Sequence, residues 1–251
     1  MSKIDNLAGI SQDQREKALD ELFSNMPEEV EIPVELPSRS KFYKSSGPVS
    51  VKPLLFEDEQ RILSSKNTNI NIFNEILKKS VDGVDVSDLV LFDKLFLLMK
   101  VREASYGADY NFEIACPECG NNTKVSIDIA NNLNINYIPD DLEDPRTITL
   151  PRLKKQVVVR FPRLREENLL ADVDTALKNL HKFVISVDGN DDPVFISKAL
   201  KRMHIQDLKT ITREINKSDY GLDPGILFEC PVCDHKENIN IPLDANFFLV
   251  T

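Results

Sequence analysis

Cys116-Pro117-Glu118-Cys119-Gly120 and Cys230-Pro231-Val232-Cys233-Asp234 hold all four cysteines of this 251-residue chain. Each is preceded by a strand-like run, Tyr110 to Ala115 and Gly225 to Glu229. Each is followed by another with period-two alternation, Thr123 to Ile129 and Glu237 to Ile241. The pattern predicts two β-hairpins with a pair of thiols at each tip. Cysteines two residues apart on a tight turn can face one metal ion, and two such turns supply the four thiolates that tetrahedral zinc prefers. Cys116, Cys119, Cys230 and Cys233 are therefore the expected ligands of one structural zinc.

Working outward, the two halves run in the same order. Val49 to Lys52 reads as a strand ending at Pro53, followed by helical patterns over Glu57 to Ser65 and Ile70 to Val81, which Asp82-Gly83 interrupts. A long helix follows, with Ser87 or Asp85 as cap and Leu89, Phe92, Leu95, Phe96 and Met99 as its apolar stripe; it stops near Tyr106-Gly107. In the second half Val157 to Phe161 reads as a strand, then a helical run from Glu166 to about Val187 ends at Asp188-Gly189. Pro193 opens a helix through Met203, and Gln206 to Asn216 forms the last one before Tyr220-Gly221. Tyr106 and Tyr220, Gly107 and Gly221, Asp109 and Asp223, and both cysteine pairs are each 114 residues apart, while Val81-Asp82-Gly83 and Val187-Asp188-Gly189 are offset by 106. One insertion of 8 residues reconciles the offsets. The expectation is an α+β fold: an internally duplicated helical module, each copy ending in a zinc-ribbon-like Cys-Pro-x-Cys hairpin. Its segments are an N-terminal helix and proline-rich arm over 1–47, repeat 1 over 48–138, a connector over 139–155 and repeat 2 over 156–251.

The arm begins with an amphipathic helix in residues 11–26, capped by Ser11 and stopped by Pro27, with Leu19, Leu22, Phe23 and Met26 on one face. From Pro27 to Pro53 five prolines are interleaved with Val30, Ile32, Val34 and Leu36 among glutamates, a composition for an extended arm or edge strand rather than a core. These eight apolar residues are the expected contacts to partner subunits.

Composition narrows the chemistry. A net charge of −10 and a pI near 4.9 argue against general binding of a phosphate backbone. Residues 1–11 carry no apolar signal region, and Asp93, Lys94 and Lys100 break the most hydrophobic stretch, so neither a membrane span nor secretion is expected. In a reducing cytoplasm, paired cysteines favour metal over disulfides. A redox dithiol would sit at a helix start, whereas both motifs here lead into strands. His235 alone lies beside a cysteine pair; His181 and His204 fall within helical patterns. No glycine-rich phosphate loop, nucleophile elbow or His-Glu-x-x-His is present, and the acidic pairs Asp140-Asp141 and Asp191-Asp192 read as turn chemistry, so no enzyme is expected.

The runs Val81-Asp82-Gly83-Val84-Asp85-Val86-Ser87-Asp88-Leu89 and Phe96-Leu97-Leu98-Met99-Lys100-Val101-Arg102-Glu103-Ala104-Ser105-Tyr106-Gly107, with the Cys-Pro-x-Cys-Gly that follows, resemble the T4-type phage baseplate hub and hub-assembly proteins across roughly residues 49–245. The resemblance implies a non-enzymatic structural or assembly component of a contractile-tail baseplate. It would be assembled in the host cytoplasm with other baseplate and tail proteins and carried in the virion. The alternative is a zinc-ribbon adaptor in transcription or nucleic-acid handling, which would need Lys154, Lys155, Arg160, Arg163 and Arg165 as a basic surface near the knuckles.

Overall fold

The computed structural model describes residues 11–24, 31–44, 47–64, 70–217, 219–243 and 245–248. Met26 and Val30 lie outside them. The chain divides at Val30–Glu31 into two units. In the first, α1 (Gln12–Phe23) starts at a capping box in which the Ser11 hydroxyl accepts from the Gln14 N–H and the Gln14 side chain accepts from the Ser11 N–H. None of its residues is buried.

The second unit is mixed helix and sheet. A meander of short strands, β1 (Ile32–Pro33), β2 (Ser50–Val51) and β3 (Val81–Asp82), pairs antiparallel in that order. Between β2 and β3 lie α2 (Phe56–Ser64) and α3 (Ile70–Ser80). The next helix, α4 (Leu91–Tyr106), buries Phe96, Leu97, Leu98, Met99 and Val101, and even Asp93 and Arg102. Such all-round burial marks it as the central helix. Asp85 does not cap it. That carboxylate caps a separate 3-10 turn, Val86–Asp88, by accepting from the Ser87 N–H, and α4 begins three residues later behind Val90. It ends at Gly107, whose φ of +88° lies in the left-handed region that L side chains avoid.

Beyond α4 come β4 (Asp109–Ala115) and β5 (Asn122–Asp128), an antiparallel pair, and β6 (Asn134–Asn136). A second meander follows: β7 (Arg146–Thr149), β8 (Gln156–Val159) and β9 (Val184–Val187), again paired in chain order. β7 falls within the expected connector, so residues 139–155 supply an edge strand to the second sheet. The expected helical run from Glu166 to Val187 is broken instead. It comprises a 3-10 turn over Leu164–Leu170, α5 (Val173–Asn179), another turn over Leu180–Lys182, and then β9. The physical reason lies at its end: Val184-Ile185-Ser186-Val187 is rich in β-branched residues, and Val184 and Val187 are buried on β8. α6 (Pro193–Arg202) and α7 (Ile205–Ile215) match their sequence signals, with Asp192 capping α6 and Pro193 in its first turn. The chain then forms β10 (Gly221–Asp223), which pairs with β6, and the antiparallel pair β11 (Gly225–Glu229) and β12 (Lys236–Asn240).

Two main cores result. One gathers Leu36, Val51, Leu77, Leu97, Met99 and Tyr110, but also Leu164, Leu222, Ile241, Phe247 and Phe248 from the second half. The other is local to the second half: Leu150, Val157, Phe183, Val187, Ile211 and Ile215. Residues 31–44, expected as arm, belong to the larger unit. Ile32 pairs with Val51, and Leu36 is fully buried. The Ser38 N–H donates to Asp93 Oδ1 at 2.9 Å, and the Ser38 and Tyr43 hydroxyls donate to Asp93 Oδ2.

Candidate metal centre

Both cysteine turns are built the same way. β4 and β5 end their pairing at Ala115 opposite Asn122, and β11 and β12 at Glu229 opposite Lys236. In the first turn the Cys116 N–H donates to the Asn121 carbonyl at 2.9 Å, and the Gly120 N–H to the Cys116 carbonyl at 2.8 Å. In the second, the Cys230 N–H donates to the His235 carbonyl at 2.9 Å and the Asp234 N–H to the Cys230 carbonyl at 3.0 Å. Gly120 and Asp234 occupy the same left-handed position, φ +70° and +58°. Aspartate is among the few L residues that tolerate it, which lets the second turn close without glycine.

These turns bring the four sulfurs together. Cys116 Sγ lies 3.7 Å from Cys233 Sγ, and Cys119 Sγ lies 3.7 Å from Cys230 Sγ. All four ligand atoms lie within 4.8 Å of one another. A sulfur pair joined by a disulfide would be about 2.05 Å apart; a tetrahedral zinc ion with bonds of about 2.3 Å holds its sulfurs about 3.8 Å apart. The donors and their spacing fit zinc. Exchanging the two turns maps each close pair onto the other, so the cluster carries a local twofold relation. Cys116 and Cys230 are buried, while Cys119 and Cys233 are exposed. Phe228 is buried with the first two, and Ile114, Val125 and Ile239 pack around them.

The crowded thiols also shift one another's protonation. The Val232 N–H, helped by that of Cys233, draws the Cys230 thiol down to about 6. At Cys233 the His235 N–H pulls downward, but desolvation and the neighbouring sulfurs outweigh it and push that thiol up to about 12. One thiolate forms readily and the next resists, as expected where like charges crowd together. A bound divalent ion would remove that conflict. His235 contributes its backbone carbonyl to the turn, and its ring Nε2 lies 3.8 Å from Glu237.

The expected partner-contact residues separate. Leu19, Leu22, Phe23 and Ile32 are exposed; Val34 is half-buried against the core; Leu36 is wholly enclosed by it and has no surface to offer a partner. The expected basic surface is committed internally. Lys155 pairs with Asp188 at 2.8 Å, Arg160 with Glu166 at 2.6 Å, Arg163 with Asp144 at 2.6 Å, and Arg165 with Asp88. Two features escaped the motif reading, both on α4. Asp93 anchors Ser38 and Tyr43, and the Arg102 guanidinium sits 4.4 Å from the Tyr110 ring and 5.7 Å from that of Phe247. Both are buried charges, which require an internal partner, but α4 also carries Lys94, Lys100 and Glu103, so the sequence does not single these two out.

The chain belongs to the family described as T4 bacteriophage base plate protein, which matches residues 29–249. No curated protein and no solved structure matches it significantly. Membership supports a structural role in a phage baseplate, association with other tail or baseplate proteins and a place in the virion tail. Among the described residues, no helix is long and apolar enough to cross a membrane.

Proposed function

We propose that this protein is a non-enzymatic component of the baseplate hub, either a built-in subunit or an assembly factor, whose two related halves are clasped by one structural zinc on Cys116, Cys119, Cys230 and Cys233. The observation that carries this reading is the convergence of four sulfurs from two turns of identical construction. Four thiolates leave no open coordination position for water, so such an ion contributes to folding rather than to catalysis.

Sheet register supports the duplication. Val51 opposes Val81 in the first meander and Val157 opposes Val187 in the second, so both strands shift by the same 106 residues. Ile32 and Ile148 fill corresponding places opposite Val51 and Val157. On this reading 48–138 and 156–251 descend from one module, and β1 and β7, each just before its range, are edge strands that match one another. Leu19, Leu22, Phe23 and Ile32 are the residues free to meet other subunits. The nucleic-acid alternative is disfavoured because four of its five basic residues are ion-paired within the chain. Native mass spectrometry of the protein purified with its baseplate partners tests the proposal. One zinc per chain and co-purifying tail proteins are expected; a chain free of zinc when purified without chelator would end the clasp reading.

A further inference from the structure

Leu36-Pro37 and Leu150-Pro151 are 114 residues apart, the same spacing as the two cysteine turns. The match extends to what holds them. The Ser38 N–H donates to Asp93 Oδ1 at 2.9 Å, and the Arg152 N–H donates to Asp207 Oδ1 at 2.8 Å. Asp93 and Asp207 are themselves 114 apart, and both are buried in the first turn of their helices, α4 and α7. Leu36 and Leu150 are fully enclosed, and Ser40 and Lys154 share a left-handed φ of +55° and +57°. Each half thus lays a Leu-Pro strap over the start of a helix and fastens it to a buried aspartate.

The straps differ in what lies over them. Residues 137–142 cover the first. The Ile138 N–H donates to the Pro37 carbonyl at 3.0 Å, Arg39 pairs with Asp140, and Lys41 Nζ donates to the Asp140 and Leu142 carbonyls at 2.6 and 2.7 Å. Pro37 and Ser38 are buried. In the second strap Pro151, Arg152, Leu153 and Lys154 are all exposed, and no described residue donates to the Pro151 carbonyl. Arg152-Leu153-Lys154-Lys155 carries three cations and no acid. Among the described residues Lys154 has no ion pair. Lys155, in the place of Lys41, pairs with Asp188 at 2.8 Å, a half-exposed contact that a competing acceptor displaces at little cost.

Resting on the reading of the halves as duplicates, we propose that the second strap is a docking site for an extended acidic segment of another baseplate protein, which takes the place that residues 137–142 hold on the first. The first half shows the chemistry of the occupant. It brings a backbone N–H to the Pro151 carbonyl and oxygens to Lys154 and Lys155. Against Leu153 it sets an apolar or aromatic side chain, as Tyr137 stands 5.8 Å from the Arg39 guanidinium at the corresponding place. The cations of the strap select an acidic segment over a neutral one. A phosphate group offers no donor for the Pro151 carbonyl, which favours a peptide over a nucleic acid. The source is a partner subunit because the chain's family is one of baseplate proteins.

A peptide with the sequence of residues 135–143, Ile-Asn-Tyr-Ile-Pro-Asp-Asp-Leu-Glu, is the probe, titrated into the isotope-labelled full chain and followed by amide NMR shifts. Shifts confined to the second strap and the start of α7 are expected by about 1 mM peptide. Leu153→Asp should weaken binding at least about tenfold and Lys154→Glu about three- to tenfold; both positions are exposed, so melting should not change. No shift by that concentration, shifts that miss the second strap, variants that bind like wild type, or tighter binding of oligothymidylate at the same amides would each overturn the docking site. Hydrogen exchange keeps the duplication separate. Asp93→Asn should speed exchange of the Ser38 amide alone, and Asp207→Asn that of the Arg152 amide alone. If both do so while the peptide fails to bind, the docking site falls and the duplicate reading stands. If neither substitution loosens its own strap, the shared clamp and the docking site fall together.

Discussion

Cys116 Sγ lies 3.7 Å from Cys233 Sγ although 117 residues separate them along the chain. Neither sulfur belongs to the other's motif, so the cluster closes across the two halves rather than within either.

Because each half supplies only two sulfurs, the loss of any one leaves three, and the ion loses its closed tetrahedral shell. Cys116→Ser and Cys230→Ser should each abolish zinc binding and lower the melting temperature by about 10 °C or more. Native mass spectrometry and thermal unfolding read both effects. Full zinc occupancy in either variant would rule out a shared site.

Gly107 caps the end of α4 and Gly221 opens β10, and alanine should affect them unequally. Both have positive φ, +88° and +96°, and at Gly107 ψ is 176°, a combination that only glycine adopts readily and that costs an L residue about 1–3 kcal/mol. At Gly107 an added Cβ meets nothing within 4 Å, whereas at Gly221 it meets the Phe92 backbone and forces β10 away from α4. Denaturant unfolding should show a loss of about 1–3 kcal/mol for Gly107→Ala and a loss larger by about 2 kcal/mol for Gly221→Ala, where the clash adds to the backbone cost.

Leu36 and Leu22 test the division of labour in the N-terminal region. Leu36→Ala empties a fully buried site and should cost about 2–5 kcal/mol of stability. Leu22→Ala changes an exposed residue and should alter unfolding by less than about 0.5 kcal/mol while reducing subunit binding. Equal effects on stability would contradict the assignment.

Asp93 gives the pH dependence a definite sign. Burial raises its carboxyl from 3.8 to about 6 despite donors from Ser38 and Tyr43. The folded state therefore holds this proton more tightly than the unfolded chain. The stability it contributes is fully present below pH 3.8 and is lost as pH rises through about 6. Relative to Asp93→Asn, the wild-type protein should gain stability on acidification from pH 7 to pH 4, by on the order of 3 kcal/mol. A difference between the two that stays flat with pH would show that Asp93 titrates normally.

The ligand set was legible in the sequence because short-range chemistry fixes it. Cys-Pro-x-Cys followed by a residue that tolerates left-handed backbone, Gly120 or Asp234, specifies its own turn, and the flanking period-two alternation specifies the strands. Central helix α4 was legible too, since Phe92, Leu95, Phe96 and Met99 recur at helical spacing and Tyr106-Gly107 marks its end. Local signals misled where tertiary pairing competed with them. Val184–Val187 extended a helical pattern on paper, but β8 offered a ladder that β-branched residues satisfy better. Val34 and Leu36 read as part of an extended arm or edge strand facing other subunits because nothing in their neighbourhood of sequence announces the core, drawn from distant parts of the chain, that takes them in.

By itself, then, the sequence determined the four sulfurs, the strands that flank them and the helices Leu91–Tyr106, Pro193–Arg202 and Ile205–Ile215 to within a few residues, all of which depend on contacts close along the chain. Only the tertiary structure decided which sulfurs face each other, that the larger core draws side chains from both halves, and that Leu36 is enclosed while Leu22 is not. The physical reason is that burial and close approach are properties of surfaces brought together from distant parts of the chain, and no local pattern around the Cys116 and Cys230 turns encodes how those surfaces meet.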